Sequence, residues 1–210
     1  MRKTLRRLLW MVTLSVAAPV LAGQYEVVSS QVQRMLTQAA RNDEAGLNAT
    51  RQQLENLAGP AHRNVKEARA LNQQGLDALK RNDYQAAATA FQKAQEADPA
   101  DVEVAGNLGY ANLKLGQFKR AEHQLAYAIS LSPGRSSSWY NLGQVYGALN
   151  DVERATGAFA AAYRFSQNPP KTLDFMRQAL TAPENNAATR TALRRVLELF
   201  GAPAEGSSAR

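Results

Sequence analysis

Glycine recurs at a fixed interval of 34 residues, at Gly75, Gly109 and Gly143. Three further positions keep the same phase: Ala87, Ala121 and Ala155; Ala94, Ala128 and Ala162; and the bulkier set Phe91, Leu125 and Phe159. A self-similar period in the range of roughly 20–50 residues marks a chain built by stacking one supersecondary unit. Such a unit cannot bury its apolar face alone, so neighbouring copies must supply one another's core.

The third copy shows what the unit is. Trp139, Leu142, Gly143 and Tyr146 fall on one face of a first helix, and Ala155, Phe159 and Ala162 on one face of a second. Asn150-Asp151 between them suits a tight turn, as do Asn82-Asp83 and Gly116-Gln117 at the equivalent places in the earlier copies. Small residues at the glycine and alanine positions let the paired helices cross closely, and the large residues fill the space between units. Asp98-Pro99 and Ser132-Pro133 end one unit and begin the next, because proline disfavours helix in the residue before it. The pattern W-x2-L-G-x2-Y followed by A-x3-F resembles the signature of the tetratricopeptide repeat family. This resemblance implies an all-α, right-handed superhelical solenoid of helix-turn-helix repeats that works as a binding scaffold. The third copy departs from the family only at its end, where the closing proline, Pro169, arrives two residues late.

Before the repeats, residues 1–22 read as an export signal. Arg2, Lys3, Arg6 and Arg7 lead an apolar run that ends in Val20-Leu21-Ala22, and cleavage is expected after Ala22. The run is shorter than the roughly 20 apolar residues a spanning helix needs, so no stable membrane span is expected in the mature form. Those four cations belong to the leader, which reduces the formal charge of +7 to +3 for the mature chain. That balance gives no argument for nucleic acid, and no interleaving of basic and aromatic residues suggests it. The chain has no cysteine, which excludes disulfides, thiolate metal sites and a lipidated cysteine. An exported, cysteine-free helical protein fits the bacterial periplasm, or a secreted location, better than an animal extracellular space.

The organisation follows as a signal peptide at 1–22, a divergent helical hairpin at 23–66, three repeats at 68–101, 102–135 and 136–169 within 67–169, a degenerate fourth, capping unit at 170–201, and a disordered tail at 202–210. In the hairpin, Val28, Val32, Met35, Leu36 and Ala39 mark one helix, and Leu47, Leu54 and Leu57 another; Arg41-Asn42-Asp43 between them recurs as Arg81-Asn82-Asp83. The hairpin is expected to stack on the first repeat. A separate coiled-coil stalk is the alternative, although its heptads run for few turns. In the fourth unit the 34-residue frame places Arg177 at the glycine position and Thr189 at the first alanine.

In such a stack the first helix of each pair lines the concave face. Gln73, Asn107 and Asn141 each stand two residues before a repeat glycine, and all three are amides. Each amide offers a donor and an acceptor, so a column of them can bracket an extended peptide backbone; a solvated helix surface would also carry such residues. Arg69, Asn72, Leu76, Tyr110, Leu113, Lys114, Tyr140 and Gln144 surround the column, the tyrosines as interface anchors or as packing between repeats. Relatives that clamp a terminal carboxylate use lysine, arginine and asparagine, and here only Asn107 matches, so no clamp is expected. Arg190, Arg194 and Arg195 form a basic group on the last helix, suited to an anionic partner or to the polar face of a cap.

No catalytic, metal or cofactor site is expected. His62 and His123 lack ligand spacing, Glu122-His123 has no second histidine four residues on, and no nucleophile elbow or phosphate loop is present. The reading is a non-catalytic adaptor for a protein or peptide partner in the bacterial envelope, oligomeric state open. The alternatives are a structural subunit of a secretion, pilus or outer-membrane assembly system, and a chaperone-like factor.

Overall fold

The computed structural model describes residues 17–202, with side chains described from Glu26, so most of the expected leader and the tail from 203 lie outside the described residues. The described chain is helical throughout, without strands: α1 (Ala17–Ala40), α2 (Glu44–Glu55), α3 (Val65–Lys80), α4 (Tyr84–Ala97), α5 (Val102–Lys114), α6 (Phe118–Leu131), α7 (Ser136–Ala148), α8 (Val152–Arg164), α9 (Pro169–Ala179) and α10 (Ala187–Leu199).

The 34-residue period has a direct steric cause. A Cβ added to Gly75 would lie 2.4 Å from the Phe91 ring, one at Gly143 would lie 2.6 Å from Phe159, and one at Gly109 2.7 Å from Leu125. Each repeat therefore closes by setting a bulky side chain of its second helix onto a bare stretch of its first. The turns repeat as well. Asn42, Asn82, Gly116 and Asn150 all adopt positive φ, and the next residue caps the following helix, where Asp43, Asp83 and Asp151 accept from the amides of Gly46, Ala86 and Arg154. Between the first and second repeats, the buried Asp98 carboxylate accepts from His62 Nδ1 at 2.8 Å and from the amides of Ala100 and Arg63. Desolvation opposes its charge, but these donors outweigh it and hold its pKa below the ordinary carboxylate value.

Consecutive first helices touch one another, α3 with α5 and α5 with α7, whereas α4, α6 and α8 do not pack together in this way. The stack therefore curves with its first helices inside, and its second helices splay to leave troughs on the outer face.

The N-terminal hairpin is not where the sequence reading put it. It does not stack on the first repeat: α1 lies along α8 and touches α6, and α2 reaches α6. Two features explain this. The free side of α3 carries Ala70, Gln74 and Asp77 where α5 carries the buried Val104, Leu108 and Ala111, so it has little apolar surface to cover. The outer side of α8 is small and apolar, with Gly157, Ala160 and Ala161 all buried, and a Cβ at Gly157 would lie 2.3 Å from the Leu36 carbonyl oxygen. Val32, Met35, Leu36 and Ala39 thereby join the main core, and the first repeat keeps its own smaller cluster around Phe91. A polar network seals the contact. Gln33 donates to the Tyr146 hydroxyl, Tyr146 donates to Glu122, and Arg154 donates to both Glu122 and Asp151. Burial, together with the Glu122 charge, pushes the Tyr146 pKa well up.

The fourth unit also departs from the frame. Pro169 and Pro170 open α9 under an Asn168 cap, yet α10 takes the slot along α7 and α8 that a following first helix would fill, while α9 lies against α8 and reaches α7 through Phe175. Thr189 sits against Gly147, and Asn186 donates to the Gly147 carbonyl, which fixes α10 there. Leu193, Val196 and Leu197 are buried in this contact. Arg177, placed by the frame at a helix crossing, instead pairs with Asp174 on its own helix.

Candidate functional site: the inner face

The expected groove residues lie on α3, α5 and α7, and the structure distinguishes among them. Asn107 donates to Asn72 Oδ1 at 3.0 Å, and Asn72 donates to Glu103 at 3.3 Å, so the bond between neighbouring first helices joins Asn107 of the expected column to Asn72 and bypasses Gln73. Gln73 turns aside to Asp77 on its own helix. Asn72's counterpart in the second repeat is Gly106, where a Cβ would meet only the Ser138 hydroxyl, at 3.6 Å. Asn141 consequently has no neighbouring amide to pair with, and among the described residues neither Asn141 nor Gln144 has a hydrogen-bond partner. The Ser138 hydroxyl beside this gap is buried and unpaired.

Arg69 is exposed, Tyr110 is half-buried, and Leu76 packs against the first-repeat cluster. The Lys114 ammonium lies 5.5 Å from the centre of the Tyr84 ring on α4. Tyr140 serves packing: its ring contacts Phe159 at 5.1 Å and Phe175 of α9 at 5.0 Å, and burial, helped by the Glu184 charge, pushes its pKa up to about 12. Glu103 and the exposed Phe175 were missed from the sequence. Glu103 was legible as the residue four before Asn107, whereas Phe175 depends on the displacement of α9.

The basic group on α10 is mostly engaged within the chain. Arg195 pairs with Glu153, Arg190 donates to the Ala182 carbonyl, and Arg194 is exposed. Among the described residues no three His, Cys, Asp or Glu side chains converge as metal ligands, and no helix is long and apolar enough to cross a membrane.

A curved stack of helical hairpins with its first helices inside is an α-solenoid, a class whose members present extended surfaces to other molecules. Residues 72–136 and 108–170 match the family described as tetratricopeptide repeat, and this stretch of the chain is built of tetratricopeptide repeats. The first tetratricopeptide domain of Spaghetti (RPAP3), solved bound to the HSP90 peptide SRMEEVD, aligns with 68% of this chain and 99% of its own at a TM-score of 0.52 and 20% identity. The MamA protein aligns with 88% of this chain and 98% of its own at 0.51 and 18%. Among curated proteins, BBSome complex member BBS4 of Xenopus tropicalis is 32% identical over 87 residues, which is 41% of this chain and 17% of that protein. The matched segment thus spans less than a fifth of that relative's length.

Proposed function

We propose that this protein is a non-catalytic scaffold, exported to the periplasm or beyond, that holds an extended peptide segment of a partner protein on its inner face and serves in assembly of the cell envelope. The observation that carries the binding reading is the Asn141 amide, which has no hydrogen-bond partner among the described residues: one repeat earlier Asn107 bonds Asn72, and the counterpart of Asn72 is Gly106. An extended peptide offers backbone donors and acceptors at a spacing such amides can meet. The Spaghetti domain, a similar fold solved bound to an HSP90 peptide, supports a peptide as the partner. Export rests on the basic leader and short apolar run at the chain's start.

The test is a pull-down from envelope extract with residues 23–210, beside an Asn107→Ala/Asn141→Ala variant. Partners captured by the parent and lost by the variant, with helicity unchanged, are expected. A partner retained by both would place function elsewhere.

A further inference from the structure

The outer face carries two troughs one repeat apart, and the chain fills only one of them. Between α6 and α8 the trough is occupied by α1, whose Gln33 reaches down to Tyr146 on the floor helix α7. Between α4 and α6 the equivalent trough stays open as a cleft of about 670 Å³, floored by Leu108 and Asn112 of α5. A volume of that order accommodates several side chains.

The 34-residue repeat allows the two troughs to be compared residue by residue. Asn112 is the counterpart of Tyr146, the residue that bonds the docked helix. It is only 6% exposed, yet it lines the cleft and, among the described residues, its side chain has no hydrogen-bond partner. Arg120 is the counterpart of Arg154. Arg154 is held by two carboxylates, Asp151 and Glu122; at their places the open trough has Gln117 and Ala88. Arg120 bonds only the Gln117 amide and forms no ion pair with the described residues. Lys119 adds a second cation, with Glu96 the sole carboxylate and His123 the other titratable group on the lining.

We propose that the trough between α4 and α6 is a second docking site, separate from the inner face, and that its occupant is an acidic helix of a partner protein. The occupied trough shows that a helix is what this geometry receives, and the missing carboxylates define its charge. The occupant places a carboxylate over Arg120 and a polar side chain over Asn112, supplying from outside what Glu122 and Asp151 supply to Arg154. His123 stands where Gly157 admits the α1 backbone, so the occupant rides higher than α1 and engages through side chains. The chain's own α1 holds a single acidic residue, Glu26, which points to a different protein over a second copy.

The probe is an alanine-based helical peptide of about five turns with glutamates along one face. It is titrated into residues 23–210 up to about 1 mM, with amide resonances followed by NMR. Saturable shifts at Ala88, Thr89 and Asn112 are expected, with a version carrying lysine for glutamate binding about fivefold more weakly. Arg120→Glu, which sits in the favourable first turn of α6, is expected to reverse that preference without loss of folding. Absence of shifts in the trough overturns the proposal, as does a preference indifferent to Arg120 or equal binding by a proline-broken peptide. Inner-face binding is untouched by Arg120→Glu, so the two sites fail independently.

Discussion

Two glycine-to-alanine substitutions of identical chemistry are expected to act with opposite sign. At Gly157 the new methyl would lie 2.3 Å from the Leu36 carbonyl oxygen and 2.8 Å from its carbon, both backbone atoms. A relaxed contact needs nearly an ångström more, so α1 must lift along the line where Val32, Met35, Leu36 and Ala39 are buried. Overpacking of this kind costs about 1–3 kcal/mol, against which the better helix propensity of alanine returns about 1 kcal/mol. The net expectation is a loss of up to about 2 kcal/mol, or up to about 8 °C in melting temperature for a chain of this size. At Gly106 the methyl meets only the Ser138 hydroxyl at 3.6 Å, an ordinary contact. Only the propensity term remains, and Gly106→Ala is expected to stabilise by about 0.5–1 kcal/mol. Circular-dichroism melts give the sign, and hydrogen exchange locates it, because Gly157→Ala should accelerate exchange in α1 while α3 and α4 stay protected. A Gly157→Ala protein melting at or above the parent, with α1 protection intact, would refute the packing argument.

Asp98→Ala leaves His62 and two backbone amides without their acceptor and is expected to cost about 2–3 kcal/mol in urea titration. Because the folded chain depresses the Asp98 pKa, its contribution is complete above the unfolded value of about 3.9 and is lost as pH falls through the folded value. Asp98→Asn should therefore flatten the acid limb of a stability profile. Trp139→Phe keeps most of the buried volume but loses the indole bond to the Pro133 carbonyl, at a cost of about 1–2 kcal/mol by thermal melt. Tyr146→Phe frees Gln33 and one bond of Glu122, and should loosen α1 as read by limited proteolysis near residue 40, with a loss of about 1–2 kcal/mol.

The repeats were legible because their spacing reports a contact internal to each unit, glycine against a bulky residue, and such contacts repeat whenever the unit does. The turn tripeptide at Arg41-Asn42-Asp43 likewise revealed the α1–α2 hairpin, since positive φ at Asn42 is a local demand. Its docking place was not local. It depended on comparing the polar free side of α3 with the small residues of α8, and the run from Gly157 to Ala162 was available as a signal. The fourth unit went astray for a related reason: the frame assigned α9 the next slot by order, whereas Gly147 and Asn186 award it to α10 by fit. On the inner face, the amides fall on the first helices α3, α5 and α7, but which of them would pair internally depended on Gly106, a position outside the motif.

The clasp of α1 across α6 and α8 also bears on how a gene of this kind can lengthen. A duplicated unit spliced between residues 101 and 102 would add one hairpin ahead of the segment that α1 spans and leave its footing intact. The same unit spliced between 135 and 136 would separate α6 from α8 and tear the N-terminal helix from one of its two supports. Growth by duplication is thus permitted at one junction and barred at the next, although the junctions belong to the same repeat.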